Sequence, residues 1–389
     1  MTASTSEPDL TDEQRELQNL TRRFVNAQVA PRVIEYNREG ALPQDLIDRV
    51  TELGLVGGVI PERYGGSGMD YLTWSLGVEE IARYCTSLAA VVGLPSSLAG
   101  RGLLEWGTED QKQKFLRPLA EGTCVAATAI TEPDTGSDAA ALRTTAREVD
   151  SGFVLAGQKI WISNANTCDW ILLFATVDRG EGKSGITAFL VDRTAAGVET
   201  RPIPYKLANR ISDTGEVFLT DVHVSPDRVL GQVGDGWRIL SAAVEAGRVH
   251  VAARSVGLAQ GCLEMSLQYA RTRQTFGREI GRHQLVQRML AEMAVGIESS
   301  RMLTRRAARA LDQGADDRGY WASLAKLHAS RTAMSVSHDA IQIHGAYGMS
   351  DEYHVERQFR EAKMQEIVDG TSEIQQVMVA NSLLRRAGS

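Results

Sequence analysis

The sequence predicts an α+β protein of three units: an N-terminal α-helical domain, a central β-barrel and a C-terminal four-helix bundle. Apolar residues recur at helical spacing in the first third of the chain and again in the last part. Between these parts lie short runs rich in β-branched and aromatic residues, which are typical of strands. A chain of 389 residues is long enough for two or three separate cores. We therefore predict domains at residues 1–123, 124–232 and 233–389.

The N-terminal domain is predicted to begin with a helix at Thr11. Thr11 and Gln14 have the spacing of a capping box, and Pro31 marks a place before which the helix should end. Leu46 and Val50 continue the helical spacing further along. This part of the chain therefore indicates a helical domain.

The central domain is predicted from strand-like runs. They are residues 152–155, 160–162, 171–174, 186–191, 217–219 and 222–224. Glycines at 231, 234 and 236 then form a link, which lacks the spacing and the strand–helix context of a dinucleotide fingerprint. Four long helices are predicted after it, at about residues 237–271, 283–311, 316–343 and 352–384, and helices of this length pack as an antiparallel bundle.

Composition excludes several functions. A net charge of -7 and a pI near 5.6 argue against a nucleic-acid surface. No run approaches the roughly 20 uninterrupted apolar residues that span a bilayer, and Met1 to Leu10 lack the features of a secretory signal, so we expect a cytoplasmic protein without a membrane role. The four cysteines form no Cys-x-x-Cys pair and the histidines no metal-binding pair, so we expect reduced thiols and no metal site. Glu79 and Glu80 are interpreted as a solvated helix face.

Two motifs in the central domain carry the functional argument. Residues 129–138 join a strand to a loop rich in small and acidic residues, and residues 157–165 place Trp161 in a strand followed by small polar residues. Alone, the first is an ordinary turn and the second a core aromatic. In this order, the two resemble the β-domain signature of acyl-CoA dehydrogenases. The resemblance extends over essentially the whole chain, through residues 64–66, Arg248, and residues 273–277, 283–284, 342–345 and 369–375.

The resemblance implies bound FAD. It implies that Thr131 and Ser163 hydrogen-bond to the flavin ring, that Trp161 packs beside it, and that Gly136 and Ser137 serve the pyrophosphate. The residues implied to grip the FAD of a neighbouring subunit are Arg273, Thr275, Phe276, Gln342 and Gly345, so a homodimer or homotetramer is expected. Gln284 is also implied to bind the cofactor. Thr371 and Glu373 are implied to contact the rest of the dinucleotide. An arginine fork suits phosphate, and the weaker interpretation of Arg273 is a solvated charge at a helix end.

The proton-abstracting base is predicted to be Asp369. Most of the family has a glutamate at this place, immediately before Gly370, and a misplacement of about 1 Å can cost roughly a hundredfold in rate. In a smaller branch of the family the glutamate comes just before the arginine that corresponds to Arg248. This chain has Gly247 at that position, so the second location for the base is excluded. The other interpretation is that Asp369 only caps its turn. Glu245, Arg248 and Gly370 match positions that contact the substrate.

The resemblance implies α,β-dehydrogenation of an acyl thioester whose acyl group is carried by CoA or by a carrier protein. A carrier-protein substrate is typical of family members that act in polyketide or nonribosomal peptide biosynthesis. The implied electron acceptor is an electron-transfer flavoprotein or a similar protein. Two alternatives stay open. One is another flavin oxidation on the same scaffold, of a hydroxyacyl or nitroalkane compound, because an aspartate base also occurs in a relative that oxidises nitroalkanes. The other is a non-catalytic member that binds flavin or thioester. Acyl-chain length is not readable from the sequence.

Overall fold

The N-terminal domain is helical, as predicted. The structure is a computed structural model that describes residues 10–387. The helices are α1 (Asp12–Phe24), α2 (Val33–Glu39), α3 (Gln44–Glu52), α4 (Tyr71–Ala82), α5 (Thr86–Leu94), α6 (Gly100–Trp106), α7 (Glu109–Gln111) and α8 (Arg117–Ala120). The predicted capping box is confirmed: the Thr11 hydroxyl accepts from the Gln14 N–H and the Gln14 side chain accepts from the Thr11 N–H. A π-helical turn, Val25–Val29, carries α1 on towards Pro31.

One N-terminal segment is more apolar than the sequence interpretation allowed. Residues Thr86–Trp106, which are α5, a π-helical turn and α6 in succession, have the length of a membrane span, and an 18-residue window within them has a mean hydropathy of 1.3. Within the protein, however, 81% of this window is buried. Among the described residues, it is the one helix that meets the length and composition of a span, and its burial is that of a core helix in a folded domain.

The central domain is a mixed eight-stranded sheet. Its strands are β1 (Ala126–Ala129), β2 (Thr145–Val149), β3 (Gly152–Ser163), β4 (Trp170–Thr176), β5 (Ile186–Asp192), β6 (Val198–Pro202), β7 (Thr214–Val224) and β8 (Val229–Leu230). The order is β6-β7-β3-β2-β4-β5-β8, with β1 parallel to β4. The predicted runs all lie in these strands. In the described chain the end strands β6 and β8 do not pair, so "barrel" is too strict a term.

Strand β4 is buried along its whole length because both faces of the sheet are covered there. Its alternate residues Leu172 and Phe174 point into a core shared with the N-terminal helices, whereas Ile171 and Leu173 point into the core of the β domain. The β domain is therefore fixed firmly against the helical domain, and loops at its edge have a rigid support.

The C-terminal domain contains α9 (Gly236–Thr272), α10 (Gln284–Asp312), α11 (Arg318–His344), α12 (His354–Gln365) and α13 (Ser372–Ala387), with a short hairpin of β9 (Gln274–Thr275) and β10 (Arg278–Glu279). The first three predicted helices are confirmed. The fourth, predicted as continuous over 352–384, is wrong, because Asp369 and Gly370 adopt left-handed backbone angles, with φ of 53° and 92°, that end one helix before the next begins.

The interpretation of Glu79 and Glu80 as a solvated face is also wrong. Both residues are buried, with exposed fractions of 5% and 1%. Glu79 accepts from Nε of Arg301 on α10 at 2.9 Å, and Glu80 accepts from both Nε and Nη2 of Arg22 on α1. Helix α4 lies between two helices that each supply an arginine, and this tertiary pairing has no local sequence signal.

Replacing Arg301 with methionine is expected to lower the free energy of unfolding by about 3–5 kcal/mol, because it leaves the Glu79 carboxylate buried without its cation. The matched control is Arg288→Met on the same helix, which breaks an exposed pair with Glu292 and should cost less than about 1 kcal/mol. Urea unfolding of both purified variants measures the difference. Equal losses would contradict the importance of the buried pair.

Candidate active site

The turn that interrupts the fourth helix holds the predicted base. Lys326, from α11, donates from Nζ to the carbonyl oxygens of Glu366 at 3.1 Å and Gly370 at 2.8 Å. Gln375, from α13, donates from Nε2 to the carbonyl oxygens of Asp369 at 3.1 Å and Gly370 at 2.9 Å. The turn is therefore fixed by side chains that bind its backbone, which leaves the Asp369 side chain available for other contacts.

The carboxyl group of Asp369 lies against α9 at Gly247. A Cβ atom placed on Gly247 would be 2.5 Å from Oδ2 of Asp369 and 3.2 Å from Cδ2 of Leu98. The absence of a side chain at residue 247 thus makes the space in which the carboxylate sits. Residues 369 and 247 match the two positions at which branches of the family that the sequence resembles carry the base, and in space they adjoin each other. In this chain only residue 369 is acidic.

Buried cations surround this carboxyl group. Burial raises the pKa of Asp369 above its ordinary range, and Lys326, Arg254 and Arg248 act in the opposite direction. Lys326 is itself fully buried, and burial lowers its pKa to about 8, against the attraction of Asp369. Arg248 also lies close to the turn, with Nε 3.4 Å from the Asp369 carbonyl oxygen. The carboxyl group therefore lies in a half-buried position among positive charges.

Replacing Lys326 with methionine is expected to shift the acid limb of the kcat/KM profile to higher pH. Loss of the cation destabilises the ionised carboxylate, which raises the pKa of Asp369 further, so a larger fraction is protonated at a given acidic pH. The measurement is kcat/KM against pH for the variant, the wild type and Lys326→Arg, which keeps the charge. An equal loss at every pH would indicate that Lys326 only supports the fold.

A second group of predicted residues lies at the edge of the β domain. Trp161 is 57% exposed and sits in β3 with a left-handed φ of 62°, where the pairing with β7 shifts register. The carbonyl of Thr131 accepts from the N–H of Ile160, next to Trp161, and Gly136 and Ser137 are exposed in the loop that follows. Ser163 ends the strand, half-buried. These residues thus share one edge, where an indole faces outwards.

The loop of this group is anchored by a buried ion pair that the sequence interpretation missed. Lys159 donates from Nζ to Glu132 at 2.8 Å, and Glu132 also accepts from the N–H groups of Arg143 and Thr144. Burial alone would raise the pKa of Glu132, but Lys159 and these donors keep it below its ordinary value. The pair therefore holds both ends of the loop against β3.

A third group lies on the exposed surface of the C-terminal domain. Phe276 is 95% exposed with φ of 51°, at the tip of the β9–β10 hairpin. Arg273 and Gln284 flank this hairpin, and Gln342 and Gly345 lie at the end of α11, all of them exposed, whereas Thr275 is half-buried. The Arg273 guanidinium stacks on Tyr347, just after α11, at 5.7 Å, so the hairpin and the end of α11 form one surface.

The remaining predicted residues lie around the turn and α9. Glu245 is ion-paired with Arg318 at 3.0 Å and so is already engaged within the chain. The Thr371 hydroxyl lies 3.4 Å from the N–H of Ile374 at the start of α13, and Glu373 is exposed beside it. Sequence reasoning missed Lys326, Gln375 and Arg254, which all lie near Asp369.

Comparison with known proteins agrees with this architecture. The sequence models of the acyl-CoA dehydrogenase N-terminal, middle and C-terminal domains match residues 11–123, 127–222 and 234–384. The chain belongs to the acyl-CoA dehydrogenase family. Acyl-CoA dehydrogenases are FAD flavoproteins, and the chain is an FAD-dependent oxidoreductase. The fold class, the enzyme class and the cofactor predicted from the sequence are thus confirmed.

Three relatives illustrate the range of the family. The structure of butyryl-CoA dehydrogenase from Megasphaera elsdenii superposes with a TM-score of 0.94 at 36% identity, covering 97% of this chain and 99% of that one. The structure of the prolyl acyl carrier protein oxidase AnaB gives 0.92 at 31% identity, covering 96% and 99%. The caffeyl-CoA reductase-Etf complex subunit CarC of Acetobacterium woodii is 34% identical, covering 96% of this chain and 99% of its own length. Acyl-CoA dehydrogenation with an electron-transfer flavoprotein partner is thus supported for the family to which this chain belongs.

Proposed function

We propose that this acyl-CoA dehydrogenase removes the α-proton of an acyl thioester with Asp369 while hydride leaves the β-carbon. The observation that carries the proposal is the position of the carboxyl group, which is half-buried beside Gly247 and is acted on by the charges of Lys326, Arg248 and Arg254. A carboxylate whose pKa is raised accepts a proton more readily than a solvated aspartate does.

The edge of the β domain fits FAD. Exposed tryptophan in a left-handed strand position is costly unless something covers it, and a flat isoalloxazine ring is a suitable cover. Trp161 would pack against this ring, Thr131 and Ser163 would hydrogen-bond to it, and Gly136 and Ser137 would approach the pyrophosphate. When bound, FAD supplies the hydride acceptor of the reaction.

Residues of the turn and of α9 would position the thioester. In the described part of the chain the N–H of Asp369 has no hydrogen-bond acceptor, so it is free to bind the thioester carbonyl oxygen and acidify the α-hydrogen. Gly370 lets the chain turn sharply behind that N–H. Arg248 would steady the turn, and Glu245, paired with Arg318, would lie near the pantetheine arm.

The exposed surface around the β9–β10 hairpin would serve a second subunit. We propose that Arg273, Thr275, Phe276, Gln284, Gln342 and Gly345 contact the FAD of the neighbouring protomer, with Thr371 and Glu373 on the rest of the dinucleotide. A side chain as exposed as Phe276 gains from such burial. Homodimer or homotetramer, the CoA or carrier-protein handle, the electron-transfer flavoprotein as acceptor of this chain and a cytoplasmic location all stay predictions.

The test is anaerobic mixing of the FAD-loaded protein with acyl-CoA and acyl-carrier-protein thioesters while the flavin absorbance is recorded. We expect bleaching by one class, followed by recovery of the band when electron-transfer flavoprotein is added. Bleaching by carrier-bound thioesters alone would assign the handle, in line with the carrier-protein substrate named for AnaB.

Absence of bleaching by every thioester would overturn the proposal. In that case, hydrogen peroxide formed from hydroxyacyl or nitroalkane compounds in air would indicate the altered flavin oxidation. If these compounds also form no hydrogen peroxide, a non-catalytic binding role is the interpretation that remains. Titration of the flavin band with thioesters would measure that binding.

A further inference from the structure

Arg254 is a buried cation in the wall of the proposed active site. It lies on α9 with an exposed fraction of 5%. Its Nε and Nη2 atoms are buried and have no hydrogen-bond partner among the described residues. A guanidinium stays charged in proteins, and burying a charge without partners is costly. An arginine in this state is thus ready to bind an anion.

The two unpartnered atoms form one edge of the guanidinium, and that edge binds carboxylates elsewhere in this chain. Arg22 donates from Nε and Nη2 to the two oxygens of Glu80 at 3.0 and 2.6 Å. Arg360 donates from the same two atoms to Glu356 at 2.9 and 3.0 Å. A forked pair of donors matches the two oxygens of a carboxylate. The chemistry that fits Arg254 is therefore a carboxylate.

The position of Arg254 relative to the base defines where that carboxylate would be. Arg254 follows Gly247 by seven residues, which is two helical turns, so both lie on the same face of α9 and are about 10 Å apart along its axis. Helical side chains lean towards the N-terminus of their helix, so the guanidinium leans back towards Gly247 and the Asp369 carboxyl group. A short acyl chain whose α-carbon is at Asp369 would then extend along α9 towards Arg254.

The nearby carboxylates of the chain do not fill this edge. Glu361 attracts Arg254 electrostatically, but its oxygens accept from the Thr86 hydroxyl and from the N–H of Asn209, both at 2.8 Å. Asp369 attracts it as well, but is the proposed base.

We propose that the substrate is the monothioester of a dicarboxylic acid, and that Arg254 binds its free carboxylate. This inference rests on the proposed dehydrogenation, because it names the acyl group on which that reaction acts. Arg254 is then a specificity residue: it fixes the far end of the acyl chain and so places the α-carbon at Asp369.

The experiment compares dicarboxylic and plain acyl thioesters of equal carbon number. Succinyl-, glutaryl- and adipyl-CoA are paired with butyryl-, valeryl- and hexanoyl-CoA, and the rate of anaerobic flavin bleaching is measured for wild type, Arg254→Lys and Arg254→Met. We expect the flavin of the wild type to be bleached faster by one dicarboxylic thioester than by the plain thioester paired with it. In Arg254→Met the ratio of these two rates should change by at least about a hundredfold, so that the plain thioester is faster, and Arg254→Lys should retain part of the wild-type preference.

The ratio separates specificity from a merely electrostatic or structural role. If Arg254 acted only by lowering the pKa of Asp369, both members of each pair would slow by the same factor. Faster bleaching by the plain acyl thioesters in wild type would overturn the inference and leave the proposed dehydrogenation standing. Failure of all six substrates would count against both, and the wider panel of acyl and carrier-bound thioesters would then decide the dehydrogenation separately.

Discussion

Replacing Asp369 with asparagine is expected to lower turnover by roughly a hundredfold to ten-thousandfold while FAD stays bound, because general-base catalysis contributes about 10²–10⁴ and the amide cannot take the proton. Asparagine suits this position structurally. Aspartate and asparagine tolerate the left-handed backbone, with φ of 53°, better than most residues do. The hydrogen bonds of the turn come from Lys326 and Gln375 to carbonyl oxygens, and they are unaffected by the change.

The measurement is steady-state turnover together with the flavin spectrum and the unfolding midpoint of the variant. Asp369→Glu is the companion variant, because it retains a carboxylate in a position that is shifted and a backbone conformation that is less favourable. We expect its activity to lie between that of wild type and that of Asp369→Asn. An asparagine variant with normal turnover would mean that Asp369 only caps its turn.

Replacing Gly247 with alanine is expected to lower kcat/KM by roughly a hundredfold, because the new methyl group would need the space 2.5 Å from Oδ2 of Asp369 and would displace the base by about 1 Å. The same change favours the helix by about 1 kcal/mol in propensity. The substitution should thus lower kcat/KM although it favours the helical conformation of α9. A general loss of folding does not produce this combination.

Gly296→Ala is the matched control for this variant. Gly296 also lies inside a long helix, α10, where an added Cβ meets only the Thr332 side chain, at 3.0 Å for the nearest atom. It should leave kcat/KM unchanged. Full activity in Gly247→Ala would show that the catalytic carboxylate does not occupy the space beside residue 247.

Local sequence signals predicted the elements of this fold well. Thr11 and Gln14 form a capping box through two hydrogen bonds that join residues three apart, so the sequence spacing alone identified it. Strand β4 was readable from its apolar run. The break at Asp369 was not predicted, because helical spacing of apolar residues continues across it and the left-handed turn is imposed by Lys326 from another helix.

In the candidate site, only the residues that stand in recognisable motifs could be predicted from the sequence. Asp369, Trp161 and their neighbours stand in short strings that resemble a family pattern. Lys326 and Arg254 stand in no such string, and only their burial beside Asp369 identifies them as residues of the site. One signal was available for Arg254, its spacing of seven residues from Gly247 on one helix face. Lys326 had none, because a lysine within a helix is ordinarily solvated.

The way in which Lys326 and Gln375 bind the turn has a consequence for evolution. Both bind main-chain oxygens, which every amino acid provides, so these hydrogen bonds do not depend on which side chain residue 369 carries. Single-nucleotide changes of an aspartate codon can produce glutamate, asparagine or glycine. A lineage can therefore gain, weaken or discard proton transfer at this place without first rebuilding the structure that presents it.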